Sequence, residues 1–276
     1  MKYVNFGNNV NGYGFGNQLR AFPLSYLCSK LTGRELFIDN YWIKNIFNIE
    51  KNNIEKNNKS IFNALSDYGK IDYKGINQDI IEFGGGTFPT GEIINHNLYS
   101  EEIKSIMGES TVGFYKKSFD ETFMGVNKEF ETLSKKIVDY DNNDYISIQF
   151  RAFFDVGNKN MVILDKFIDK CINLIKEKEL TDMPIFITSD NSDAIKTIKK
   201  RIGKEFGSRF IETIYNFGHS GKKKDLRVLC DWLINSKSKL MLNTGTTYSL
   251  CGSWIFNTTC YIFKDNDLEN IENLQF

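Results

Sequence analysis

In the second half of the chain, short apolar runs alternate with helical stripes. Residues 145–150, Tyr-Ile-Ser-Ile-Gln-Phe, carry β-branched Ile146 and Ile148 and predict a buried strand. A helix follows at about 164–178, where Phe167, Ile168, Cys171, Leu174 and Ile175 make one apolar face. Pro184–Thr188 predicts a strand, and 192–202 a helix with Ala194, Ile195 and Ile198 inward and Lys196, Lys199 and Lys200 solvated. Phe210–Ile214 is a further strand, 225–236 a helix, 239–243 a strand and 259–263 a last strand. Strand and helix alternating this regularly predict a doubly wound parallel sheet with right-handed crossovers.

The first half is less periodic. A short strand at 2–6 runs into Gly12-Tyr-Gly14-Phe-Gly16-Asn17-Gln18-Leu19-Arg20. Leu19, Phe22, Tyr26 and Leu27 then recur at helical spacing to about Thr32, Gly33 stops the helix, and Glu35–Asp39 reads as a strand. Residues 44–60, rich in Asn, Lys and Ile, predict a surface excursion, and Gly84–Gly86 with Pro89 a second loop. Residues 100–107 and 127–138 look helical, and the Asp139–Asp144 run is the linker candidate. The division is thus 1–140 and 141–276.

Composition narrows the class. Thirty-five basic residues balance 35 acidic ones, so no global field draws the protein to nucleic acid or an anionic membrane. Five cysteines at 28, 171, 230, 251 and 260, with no Cys-x-x-Cys pair, favour buried reduced thiols and a reducing, cytoplasmic setting. With His96 and His219 the sole histidines, a histidine metal cluster is not expected. No signal-type leader and no run of about 18 apolar residues is present, so no transmembrane segment is expected.

The candidate chemistry lies where strands end. Strand 145–150 delivers Gln149, Arg151 and Asp155 at or past its carboxyl end, the edge where open α/β sheets hold ligands. Arg151 reads either as a phosphate ligand or as half of a structural ion pair. Strand 239–243 runs into Asn243-Thr244-Gly245-Thr246-Thr247-Tyr248-Ser249, whose hydroxyls can cap a helix and whose N–H groups suit a phosphate. An ordinary Thr cap is the plain alternative. Asp190 ends the strand at 184–188 and shares that rim. Asp231, inside a helix, is either a solvated charge or an acceptor for the paired N–H donors of guanine. His219 is a base, a sugar contact or a surface loop residue. The opening glycines invite a dinucleotide reading, with Asp39 at ribose-binding distance. Their Gly-x-Gly-x-Gly spacing, packed with aromatics, keeps a nicotinamide oxidoreductase remote. Asp265-Asn266-Asp267 imitates an Asp-x-Asp metal clamp, but only nine residues follow it, and it reads as a turn.

Taken together these pieces resemble the GT-B-like fucosyltransferase superfamily, most nearly its plant xyloglucan α1,2-fucosyltransferase type. Gly14-Phe-Gly16-Asn17-Gln18 matches the opening Gly-x-Gly-Asn loop, and Gln149-Phe-Arg151 the His/Gln-x-Arg motif, with Asp155 four past the arginine as in protein O-fucosyltransferases. Thr188-Ser189-Asp190 matches a strand ending in Thr/Ser-Asp. Thr244-Gly-Thr246-Thr247-Tyr248-Ser249 approximates the late Ser-x-x-Ser-Thr-Phe signature, with Asp231 about one helix before it.

The resemblance implies two Rossmann-like domains, acceptor side at 1–140 and nucleotide-sugar side at 141–276. It implies inverting transfer of fucose from GDP-β-L-fucose to a glycan hydroxyl with neither cofactor nor metal. Arg151 would stabilise the diphosphate and Asp155 would serve as acceptor base, or hold the nucleotide or orient Arg151. Gly16, Asn17, Gln149, Asp190, His219, Asp231, Thr246, Thr247, Tyr248 and Ser249 would hold the donor. A non-catalytic GDP-sugar or glycan-binding module is the rival reading.

Overall fold

The computed structural model describes residues 2–7, 15–49, 61–64, 75–83, 101–108, 110–141, 144–152, 159–207, 209–212 and 222–271. The chain divides into two compact units, Met1–Lys128 (with Phe276) and Glu129–Gln275.

In the first unit four parallel strands stand in the order β2-β1-β4-β3: β1 Tyr3–Phe6, β2 Glu35–Ile38, β3 Ile61–Ala64 and β4 Ile80–Phe83. Helix α1, Phe15–Thr32, joins β1 to β2 and stops at Gly33, whose φ of 63° suits glycine. It is buried almost all round, with Leu19, Phe22, Leu24, Tyr26 and Leu27 inside. That burial explains the weak amphipathic pattern of its sequence.

The segment after β2 corrects the expected surface excursion. Helix α2, Tyr41–Ile46, buries Ile43 and Ile46, and Phe47 stacks on Phe123 at 4.7 Å. Apolar residues at i, i+3 and i+4 are enough to sink a short helix among asparagines and lysines. Residues 50–60, Gly84–Gly86 and His96 lie outside the described residues. Helices α3, Glu101–Met107, and α4, Thr111–Thr122, complete the unit. Ser110 caps α4 by accepting from the Gly113 N–H at 3.0 Å.

The second unit starts within helix α5, Lys128–Lys135. Strands β5 Ile146–Phe150, β6 Ile185–Ser189, β7 Phe210–Ile211, β8 Leu240–Asn243 and β9 Thr259–Lys264 are parallel. The order β10-β9-β8-β5-β6-β7 puts β5 next to β8, where the winding reverses. The sheet is thus doubly wound. Ile146, Ile148, Phe150 and Ala152 on one face of β5 pack with helices α6, Leu164–Glu177, and α7, Ser192–Phe206. On the other face Tyr145 packs with Ile234 of helix α8, Lys222–Ser236.

Helix α9, Thr247–Phe256, packs on α8 at Gly252, where a Cβ would lie 2.0 Å from Ser236 Oγ. The chain does not end its sheet at β9. Strand β10, Asp267–Asn270, turns back antiparallel through Asp265 and Asn266, both at positive φ, as a two-residue hairpin requires. Asp265-Asn266-Asp267 is therefore a turn, with Asp267 paired to Lys170 at 3.0 Å.

Candidate active site

Where the β5–β8 ladder ends, at Gln149 and Asn243, side chains continue the stitching. The Arg151 N–H donates to Thr244 Oγ1 at 2.9 Å. Gln149 Oε1 accepts from Ser249 Oγ at 2.9 Å and Thr246 Oγ1 at 3.3 Å. Asn243 Oδ1 takes the Gly245 N–H at 2.7 Å, while its Nδ2 donates to the Tyr261 carbonyl at 3.2 Å. The chain can then turn sharply into α9 only because residue 245 is glycine. Its φ is +77°, and a Cβ would stand 3.0 Å from Ile262 Cγ2.

Thr246 caps α9: its Oγ1 accepts from the Ser249 N–H at 3.3 Å and its carbonyl from Leu250 N–H at 3.0 Å. A helix start, with its partial positive charge, thus stands at the carboxyl edge of β8 beside β5. Gln149 is fixed by the same hydroxyls that hold this turn, because their donation orients its amide with Oε1 toward them.

Asp190, just past β6, faces Arg151. Its Oδ2 lies 2.8 Å from Arg151 Nη1, and its Oδ1 accepts the Ala152 N–H at 2.7 Å. One carboxylate therefore fixes both the guanidinium of Arg151 and the backbone N–H of the next residue. The ion-pair reading of Arg151 is realised, and the phosphate reading is compatible with it, since the side chain keeps 46% of its surface open. The guanidinium is turned outward at the rim, not into the core.

Asp231 is not a solvated helix charge. Its Oδ2 is 3.5 Å from Arg227 Nε one turn earlier, and its Oδ1 is buried without a hydrogen-bond partner. Burial pushes its pKa up to about 7, with Arg227 pulling the other way. Tyr248 stands beside it, its hydroxyl donating to the Val228 carbonyl at 2.7 Å, while Trp232 Nε1 donates to the Tyr248 carbonyl at 2.9 Å. The first turn of α9 is thereby bolted to α8.

The second unit therefore gathers Gln149, Arg151, Asp190, Thr246, Tyr248, Ser249 and Asp231 around the ends of β5, β6 and β8 and the α8–α9 contact. Thr247 opens α9, but its side chain lies outside the described set, as do Asp155 and His219 altogether. Gly16 is buried in the first turn of α1 in the other unit, and the Asn17 side chain is outside the described set. Sequence reasoning placed Thr244 in the motif without giving it a role of its own, and missed Arg227. The spacing of Arg227 four residues before Asp231 was the available signal. All five cysteines are buried and none is in a disulfide. Among the described residues no group of three His, Cys, Asp or Glu side chains is placed to hold a metal, and no helix is long and apolar enough to cross a membrane.

No protein-family model matches the sequence, and no curated protein matches it significantly. Solved structures do. An arginine-to-lysine mutant of Arabidopsis thaliana FUT1, in complex with GDP, superposes with a TM-score of 0.60 at 13% identity, over 98% of this chain and 74% of that one. The fucosyltransferase NodZ from Bradyrhizobium gives 0.59 at 11% identity over 99% of both chains. POFUT1 in complex with GDP gives 0.50 at 11%, over 93% of this chain and 95% of its own. The fold is shared with fucosyltransferases. At these identities it is the α/β architecture that is common to them.

Proposed function

We propose that the protein is an inverting fucosyltransferase that moves L-fucose from GDP-β-L-fucose to a glycan hydroxyl without a metal or other cofactor. Two Rossmann-like domains in a GT-B-like arrangement would divide the work. The first, 1–140, takes the acceptor, and the second, 141–276, the nucleotide sugar. NodZ soaked with GDP-fucose is an α1,6-fucosyltransferase with the same fold, at a TM-score of 0.59 and 10% identity. An α1,2 linkage here rests instead on the resemblance of the Gln149-x-Arg151 motif to the plant enzymes. Five buried cysteines with no disulfide among them favour a reducing compartment, and we place the enzyme in the cytoplasm.

The observation that carries this reading is Arg151, clamped by Asp190 at 2.8 Å and by Thr244 through its backbone, at the edge of β5 beside the α9 start. As the bond between fucose C1 and the β-phosphate oxygen breaks through an oxocarbenium-like state, negative charge grows on the diphosphate. A preorganised guanidinium and a helix N-terminus stabilise that charge without reorganising. Gln149, Thr246 and Ser249 hold the turn that aims the helix, Asp190 holds the guanidinium, and Asp231 would accept the guanine N1–H and N2–H pair. Asn17, Gly16 and His219 complete the donor contacts in this scheme, and Asp155 serves as the acceptor base or supports Arg151 or the nucleotide.

The test is release of GDP from GDP-fucose by the purified chain. Arg151→Ala should reduce it by about 10²–10³-fold, the effect of losing one oxyanion-type donor. Near-normal turnover in that variant rules out the role. A wild-type protein that binds GDP-fucose but releases no GDP is a binding module instead.

A further inference from the structure

Arg227 has no part in the scheme above, yet it stands against the residue that is to read the base. On helix α8 its Nε lies 3.5 Å from Asp231 Oδ2, one turn on, and 35% of its side chain is open. Asp231 is enclosed, with 15% of its side chain open, and its Oδ1 is buried without a hydrogen-bond partner. At 3.5 Å the pair is longer than the roughly 2.7–2.9 Å of a charge-assisted hydrogen bond. An i, i+4 pair of this kind contributes too little to offset the burial that pushes the Asp231 pKa up to about 7. A buried orphan oxygen beside an incompletely closed ion pair points to donors brought by a ligand.

The surroundings hold this pair in place. Asn235, one turn after Asp231, donates from Nδ2 to the Asp231 carbonyl at 2.7 Å and to Thr188 Oγ1 of β6 at 3.1 Å. The Tyr248 hydroxyl of α9 donates to the Val228 carbonyl at 2.7 Å, and Trp232 Nε1 donates to the Tyr248 carbonyl at 2.9 Å. The stretch of α8 that carries both charges is thus tied to the sheet and to α9. A ligand meets carboxylate and guanidinium already in order, which lowers what binding must spend on arranging them.

Guanine offers two donors and one acceptor in a row, the 2-amino N–H, N1–H and O6. A carboxylate matches the two donors and leaves O6 facing whatever stands beside it. Here the order is Oδ1, Oδ2 and then the guanidinium, that is, acceptor, acceptor, donor. Nε pairs with Oδ2, and the Nη groups of the same planar fork can donate to an oxygen next to it. We propose that Arg227 donates to guanine O6, so that Arg227 and Asp231 together read the whole Watson–Crick edge of the base. This rests on the fucosyl-transfer reading, whose donor is GDP-fucose. Adenine would set an amino donor against the guanidinium, and uracil a carbonyl against Oδ1. Either mismatch leaves a member of the pair without its partner, which is how a site built on hydrogen bonds rejects the wrong ligand.

The experiment is calorimetry at pH 7 on the purified chain, wild type and Arg227→Met, with three nucleotides. These are GDP, 6-thioguanosine diphosphate, in which sulfur replaces O6, and inosine diphosphate, which lacks the 2-amino group. A cooperative melt verifies that the variant folds. Ratios of affinities within one protein cancel the ionisation of Asp231, because it scales all three alike. Sulfur is a poor acceptor, so wild type should bind GDP about tenfold tighter than the thio analogue. In Arg227→Met that ratio should fall to about one, with GDP itself bound about tenfold more weakly. The ratio of GDP to inosine diphosphate, set by Asp231, should hold in the variant. The proposal is overturned if the thio ratio survives in Arg227→Met, or if both ratios collapse together, which would make Arg227 a support for Asp231 alone. It is equally overturned if wild type binds GDP and the thio analogue alike, a result that needs no variant. A wild type that binds none of the three diphosphates overturns the transfer reading itself, an outcome distinct from the others.

Discussion

Replacing Asp231 by asparagine should make the protein more stable and a worse nucleotide binder, with both effects set by pH. The carboxyl is buried, one oxygen has no partner, and the other has Arg227 at 3.5 Å. Burial raises its pKa from 3.8 to about 7. For an acid, a raised native pKa means the folded state holds the proton more tightly than the unfolded one. Between pH 3.8 and about 7 the native state therefore binds more protons, and stability falls as pH rises through that window. The shift corresponds to about 4 kcal/mol as an upper value, at 1.36 kcal/mol per pH unit. Asparagine has the same shape and never ionises.

At pH 8 the Asp231→Asn variant should melt several degrees higher than wild type, at about 2–4 °C per kcal/mol for a unit of this size. At pH 4 the difference should vanish. If Asp231 reads guanine, it must be ionised to accept two N–H donors, so binding expels its proton. Wild-type GDP affinity should then fall about tenfold per unit as pH drops below about 7, a slope the asparagine variant lacks. Its GDP affinity at pH 8 should be weaker than wild type, and its UDP affinity unchanged. Melting curves and calorimetry at four pH values decide. A variant that is less stable at pH 8, or a wild type whose GDP affinity is flat between pH 5 and 8, refutes the reasoning.

Two further substitutions probe the scaffold. Arg34 is 6% exposed and donates to the carbonyls of Ile76 at 2.7 Å, Gln78 at 2.6 Å and Asp79 at 3.2 Å, closing the loop before β4. Arg34→Met leaves those carbonyls unmatched and should destabilise the first unit by about 3 kcal/mol, seen as faster amide exchange at 76–80. Exchange at the wild-type rate would show the loop is held by other means. Gly252→Ala drives a methyl into Ser236 Oγ and should cost about 1–3 kcal/mol of the second unit's stability. Ser236→Ala should recover part of that loss, because it removes the oxygen but not the 3.0 Å contacts with Ser236 Cβ and Trp232 Nε1. An additive double variant would place the clash elsewhere.

What the sequence made legible follows from how each signal is encoded. In the second unit every strand but the short β7 and the hairpin strand β10 is buried deeply enough to read as an apolar run, and α6 and α7 each show one apolar stripe. So their order and the rim where Arg151, Asp190 and Thr246 stand are local properties of the chain. In the first unit the same logic failed at α2 and α4, whose burial comes from aromatic contacts across distant segments, such as Phe47 on Phe123 and Phe22 on Phe119. Strand β10 was invisible because Asp-Leu-Glu-Asn has no strand pattern; it exists because the Asp265–Asn266 turn lays it along β9. The same distinction runs through the candidate site. That Arg151 stands at a strand end is written in six consecutive residues. That Asp190 reaches across from β6 to hold it, and that Asp231 is buried instead of solvated, depends on packing between elements, seen in the contacts of Ala152 with Asp190, 38 residues apart, and of Trp232 with Tyr248, 16 residues apart. Asn5 and Glu82 show the extreme case. Seventy-odd residues separate them, neither lies in a motif, and only the parallel pairing of β1 with β4 makes them neighbours. Residues whose chemistry depends on a single strand can be found by reading along the chain. Those whose neighbours lie across a parallel sheet become visible only when the crossovers are in place.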